Sequence, residues 1–180
     1  YEAGAKEGFK AVFGVANANS TPGFTRKLGF QLVAPLEARV GLGSLGVRWD
    51  VCEASVGFRR VWNGPSIRWR TANPVNPVRM ERRGDGSLAL RARTQYPMLD
   101  AYSEVMADVG SPLDATASFP GLRVFLGAFP RGACSYGSYL PIPMRLRPSP
   151  LNLIWLDLTG QSGKLDAQSV QFSFIDFDPY

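Results

Sequence analysis

Apolar positions in this chain fall in short runs, each closed within a few residues by Gly, Pro, Asn or Asp. Residues 10–15 are almost continuously apolar, which predicts a strand buried in the middle of a sheet. Before it, Tyr1, Ala5 and Phe9 recur at four-residue spacing, the end of a helix whose last turn Gly8 weakens. After it, Ser20 is a good helix N-cap and Pro22 fits the first turn. Phe24 and Leu28 fall one turn apart, Arg26 and Lys27 suit the negative end, and Gly29 suits the position just beyond. Residues 30–40 read as a strand bent at Pro35, and residues 41–46 as a glycine-rich turn or linker.

The remainder alternates between strands and turns. Trp62 and Trp69, seven apart, predict two turns of an amphipathic helix over residues 61–70 with both rings toward the core. Asn73-Pro74 and Asn76-Pro77 stop it. Residues 78–81 and 88–93 alternate around Gly84-Asp85-Gly86, the clearest hairpin signal in the chain. Residues 95–106 fit strand or helix equally. Residues 122–127 predict a buried strand, 144–147 and 151–158 extended segments, and 170–177 an alternating strand that closes on Asp176-Phe177-Asp178.

Composition narrows the class. With 180 residues, 45% of them hydrophobic, the chain can build one ordinary domain, or a small one plus part of another. Its 19 Gly and 14 Pro favour strands and loops over long helices. The net charge is +5, and arginines dominate the cations. They cluster at Arg59-Arg60, Arg68 with Arg70, Arg79 with Arg82-Arg83, Arg91 with Arg93, and Arg145 with Arg147. Such clusters suit phosphate-bearing partners, although basic strand faces are more often simply solvated.

There is no histidine, which removes histidine-based nucleophile triads and most zinc or iron sites. Cys52 and Cys134 form no metal motif, and their spacing neither requires nor excludes a disulfide. No apolar run reaches membrane-spanning length. With no signal-peptide pattern, the expected compartment is the cytoplasm.

Several motifs read as structural. Gly41 to Gly46 matches a dinucleotide-binding pattern, but residues 47–51 look extended where that site needs a long helix. Cys134 sits in a small-residue loop that reads as exposed, with no histidine to act as its base. Asp176 and Asp178 would share one strand face as bases or cation ligands, but such pairs more often cap a turn.

Residues 14–30, with Asn17, Asn19, Ser20 and then Leu28-Gly29-Phe30, resemble the distal half of the acyl-CoA-binding core of GNAT-type N-acetyltransferases. Residues 46–180 are more weakly similar to the degenerate second domain of doubled bacterial GNAT proteins, on Trp62, Trp69-Arg70, Asn73-Pro74, residues 147–154 and the closing acidic pair. The resemblance implies an α/β, GNAT-like mixed sheet with few helices. Residues 1–45 would be the C-terminal half of a first domain, cut inside it, and residues 46–180 the degenerate second one. It implies transfer of an acyl group, acetyl in the first instance, from acetyl-CoA or another acyl-CoA to a small-molecule amine. Asn17, Asn19, Ser20, Phe24, Arg26 and Lys27 would bind the cofactor, and Arg68, Trp69 and Arg70 the substrate. No metal is implied. Thr25 stands where the family usually has a tyrosine acid, so the catalytic acid is unidentified, and so is the base. The exposed sheet edge near Val12 would pair in a homodimer. The alternative is a non-catalytic binding module for an anionic ligand or a protein partner. Nucleic acid ranks third, because no recognised nucleic-acid motif accompanies the arginines.

Overall fold

The computed structural model describes residues 1–108 and 121–177. In chain order the elements are α1 (Glu2–Lys6), β1 (Ala11–Ala16), α2 (Thr21–Lys27), β2 (Gln31–Pro35), β3 (Glu37–Gly41), α3 (Trp49–Ser55), β4 (Phe58–Arg59) and β5 (Trp62–Asn63). They continue with α4 (Gly64–Thr71), β6 (Arg79–Arg82), β7 (Leu88–Arg93), β8 (Leu99–Val105), β9 (Ala107–Asp108), β10 (Leu122–Ala128), β11 (Leu140–Pro141), β12 (Asn152–Asp157) and β13 (Val170–Ser173). This is an α/β architecture with a mixed larger sheet and four short α-helices among the described residues. None of these helices is long and apolar enough to cross a membrane.

Two sheets carry the fold. The smaller has the order β1-β12-β2 and is antiparallel throughout. The larger has the order β11-β3-β10-β8-β7-β6, with β8 and β10 parallel and the other neighbours antiparallel. β13 pairs with the far end of β10 and carries β4 on its other side. A short parallel pair, β5 with β9, stands apart.

The chain passes between the two sheets at Pro35 and Leu36. Leu36 is buried at 2% exposure, and its N–H donates to the Leu151 carbonyl at 2.7 Å. The Arg147 guanidinium donates to the carbonyls of Leu36 (3.1 Å) and Ile142 (2.9 Å), so one side chain holds this corner. Strands on either side of residue 45 pair in both sheets, β1 and β2 with β12, and β3 with β10 and β11.

Both faces of the larger sheet are covered by apolar side chains. On one face Leu88, Leu90 and Ala92 of β7 and Ala101 and Val105 of β8 pack on Trp62, Ile67 of α4, Phe174 and Ile175. On the other, Ala89, Tyr102 and Phe125 pack beneath Leu45, Cys52 of α3, Ala133 and Tyr139. Strand alternation sorts the residues of β7 and β8 cleanly between the two.

Several expectations need correction. β1 is an edge strand, because β12 pairs one side of it and no described strand pairs the other. Its apolar character comes from packing through Val12 and Val15 on the smaller cores, and from Phe13 against Phe58 and Phe172. Residues 49–55 form a helix, not a strand, although its seven residues are far short of a dinucleotide-binding helix. Residues 144–146 are a 3-10 turn. Trp69 is 73% exposed rather than core-facing. Asn63 and Ser66 form a reciprocal capping box that fixes the phase of α4, and the inward positions become Ile67 and Arg70, three apart. Trp62 is buried, but it lies on β5 before the helix, so the seven-residue spacing spans two elements.

Candidate functional site

The turn leading into α2 is closed on itself. Asn17 Oδ1 accepts from the backbone N–H groups of Asn19 (3.0 Å) and Ser20 (2.9 Å), and from the Ser20 hydroxyl (3.1 Å). These bonds satisfy donors that a free helix start would offer to a ligand. Phe24 packs edge-on against Phe30 at 5.2 Å beside Ala16 and Ile154. Arg26 and Lys27 are exposed at the opposite end of the helix from Asn17 and Asn19.

Arg68, Trp69 and Arg70 do not share a face. The Arg70 side chain is buried, and its guanidinium donates to the carbonyls of Ile175 and Phe177, each at 3.0 Å. It pins the C-terminal turn onto α4. Arg68 and Trp69 are exposed.

Charge converges elsewhere, on the face of the larger sheet where β6, β7, β8 and β10 lie side by side. In register, Arg79 stands opposite Arg91, Arg91 opposite Tyr102, and Asp100 between Arg93 and Arg123. The Arg123 guanidinium lies 4.5 Å from the centre of the Tyr102 ring, and that of Arg91 lies 5.8 Å from it. Burial, and then the neighbouring Arg123 charge, push the Arg91 guanidinium below its ordinary value. Arg123 also donates to the Gly43 carbonyl, and its Nε is buried without a hydrogen-bond acceptor among the described residues.

Tyr102 is the floor of this arrangement. It is fully buried, and burial, with the adjacent Glu104 carboxylate, raises its hydroxyl well above the ordinary value. The hydroxyl donates to Glu104 Oε1 at 2.7 Å and accepts from Arg83 Nη1 at 3.2 Å. Glu104, 1% exposed, also accepts from the Leu45 N–H at 3.0 Å and faces Arg83 Nη1 at 3.3 Å. The Glu104 carboxylate is thus matched by Arg83 from below. Tyr139 stacks on Tyr102 with ring centres 6.4 Å apart and donates to the Gly43 carbonyl. Arg91 and Arg123 are half-buried, and Arg79 and Arg93 are exposed.

A second feature is a shallow cleft lined by residues that include Arg59, Arg60, Trp62, Gln171 and Asp176. Asp176 accepts from Trp62 Nε1 (3.2 Å) and from the Ser173 N–H (2.8 Å), and burial pushes its carboxyl up to about 6. It caps the turn after β13. Its proposed companion Asp178 lies outside the described residues.

Both cysteines are free thiols. Cys134 is half-buried rather than exposed, its Sγ donates to the Leu45 carbonyl at 3.1 Å, and burial raises it to about 12. Burial raises Cys52 to about 11. Neither is set up as a nucleophile. No group of three or more metal-ligating side chains occurs among the described residues.

No protein-family model matches the chain, and no curated protein or solved structure matches it either. The site therefore rests on its own geometry.

The sequence pattern misses this constellation in part. Leu88-Ala89-Leu90-Arg91-Ala92-Arg93 alternates visibly and puts Arg91 and Arg93 on one face. What places Arg123 beside them is the parallel pairing of β10 with β8, for which the residues carry no local signal.

Proposed function

We propose that this chain is a binding module whose arginine-lined sheet face takes an anionic ligand. One observation carries the reading: the guanidiniums of Arg91 and Arg123 stand over the same buried ring, on a sheet face that Arg79 and Arg93 also line. Partly desolvated like charges destabilise one another, and an anion placed between them relieves that cost. Guanidinium pairs suit phosphate oxygens, which they contact through two parallel N–H donors.

The test is calorimetric titration with pyrophosphate, followed by nuclear magnetic resonance of the arginine side-chain N–H groups. Binding that moves the Arg91 and Arg123 signals, and that Arg91→Ala weakens at least tenfold, supports the reading. Pyrophosphate that leaves both signals unmoved overturns it.

Acyl transfer is the second reading, favoured by the likeness of residues 14–30 and by the exposed Arg26 and Lys27 within that segment. Acetyl-CoA carries phosphates and is the first organic ligand to titrate. Acetyl-CoA that needs Arg26 and Lys27 but not Arg91 favours acyl transfer. The reverse dependence favours the sheet face.

A further inference from the structure

We infer that the free edge of β1 is a docking surface for a second copy of this chain, the two β1 strands pairing antiparallel about Phe13. The bonding phase of β1 follows from its pairing with β12. The Leu158 N–H donates to the Lys10 carbonyl at 2.9 Å, one step before the Ala11–Asp157 pair. Bonded and non-bonded pairs alternate along an antiparallel ladder, so Lys10, Val12, Gly14 and Ala16 turn their backbone groups to β12. Those of Ala11, Phe13 and Val15 turn the other way, where no described backbone group pairs with them. Edge strands are ordinarily protected by charge, proline, a bulge or an overlying element. Ala11-Val12-Phe13-Gly14-Val15-Ala16 has neither charge nor proline, and it meets β12 without a register shift. Phe58 contacts both Phe13 (5.1 Å) and Trp155 (5.3 Å), the residue opposite Phe13 on β12. The ring over this face therefore stands inboard of the edge, and Phe13 remains 39% exposed.

The strand is complementary to itself. A two-fold axis at Phe13 sets Ala11 opposite the partner's Val15, Phe13 opposite the partner's Phe13, and Val15 opposite the partner's Ala11. Within β1 this register alone engages all the outward-facing residues of both copies, through about six backbone hydrogen bonds. Val12 then meets the partner's Gly14, which leaves room for it, and the two Phe13 rings meet as a cross-strand aromatic pair. Charge points to the same occupant. Each copy carries +5, so two copies repel over most of their surface. Along β1 nothing is charged, and Lys10 falls opposite the partner's Ala16, so no like charges are opposed. Such an isologous contact closes at two copies and joins the smaller sheets into one.

The experiment is sedimentation of the whole chain from about 5 to about 500 μM. The expected result is a mass that doubles from 19.7 kDa across that range. Val15→Pro removes an outward N–H that β12 does not use, and it weakens self-association at least tenfold while the circular dichroism stays that of the parent. Ala11→Lys, which puts a charge on the edge, does the same without touching the backbone. The register is read with Ala11→Cys and Val15→Cys in one chain. Within a copy the two positions lie about 13 Å apart, too far for a disulfide. Across the axis they form a bonded pair about 5.5 Å apart. Oxidation with diamide should link the double variant into covalent dimers and leave each single variant unlinked. A parent that stays monomeric overturns the inference. So do Val15→Pro and Ala11→Lys variants that dimerise like the parent, and single cysteine variants that link as readily as the double one. A mass that keeps rising beyond two copies overturns it in favour of open-ended pairing between β1 of one copy and β2 of the next.

Discussion

The Arg123 guanidinium lies over the Tyr102 ring at 4.5 Å from its centre, brought there by the parallel pairing of β10 with β8. A cation above an aromatic face is attracted by the ring quadrupole, by about 0.5–2 kcal/mol depending on desolvation. The contact holds the guanidinium flat against the sheet and limits how it can meet a ligand. Its geometry depends in turn on what fixes the ring.

Glu104 fixes it. This carboxylate receives the Tyr102 hydroxyl, the Leu45 N–H and Arg83 within a nearly dry site. Glu104→Ala leaves those donors unmatched and is expected to cost about 3 kcal/mol. Glu104→Gln keeps an acceptor oxygen and costs less. Urea denaturation of the three proteins measures both, and an alanine variant within about 0.5 kcal/mol of the parent would contradict the network.

Asp176 predicts a pH dependence. Its carboxyl titrates at about 6 in the folded chain against 3.8 for the ordinary value. A folded value above the unfolded one means the native state holds the proton more tightly. The associated stability is fully present below about pH 4 and is lost as pH rises through about 6, on the order of 3 kcal/mol. Asp176→Asn removes this component. The parent's melting temperature minus the variant's should therefore fall between pH 4 and 7. A difference constant across that range would contradict the assignment.

Gly127 predicts a steric limit. A Cβ there would stand 2.1 Å from the Phe172 carbonyl oxygen, where β13 joins β10. At Gly84, in the hairpin turn, a Cβ meets nothing within 4 Å. Gly127→Ala is expected to destabilise by about 3 kcal/mol and Gly84→Ala by less than about 0.5 kcal/mol. Thermal melts of the pair provide the comparison, and equal melting temperatures would refute it.

The thiols give a simple check on burial. With Cys134 raised to about 12 and Cys52 to about 11, almost no thiolate exists at pH 8. A colorimetric thiol reagent should react negligibly with the folded protein and with two thiols after denaturation. Rapid reaction of either in the native state would place it at the surface.

What the sequence reveals follows from the range of the forces involved. The hairpin of β6 and β7 is legible because its turn residues and its alternation are local, as are the α2 boundaries set by Ser20, Pro22 and Gly29. Trp69 misleads because an apolar residue at helical spacing looks inward until the Asn63 cap sets the phase of α4. Arg70 reads as a surface cation, yet two carbonyls at the far end of the chain bury it. The meeting of Arg91 with Arg123 depends on strand order, which no local pattern encodes.

The smaller sheet has a consequence for the time course of synthesis. β1 and β2 do not pair with each other; among the described residues each pairs only with β12, which separates them. On the ribosome β1 and β2 must therefore wait for β12, more than a hundred residues later, before this sheet can form. Contacts so distant in sequence make for slow folding and a long exposure of apolar strand edges. A nascent chain halted before residue 152 should lack this sheet and bind holdase chaperones, and release of β12 should end that binding.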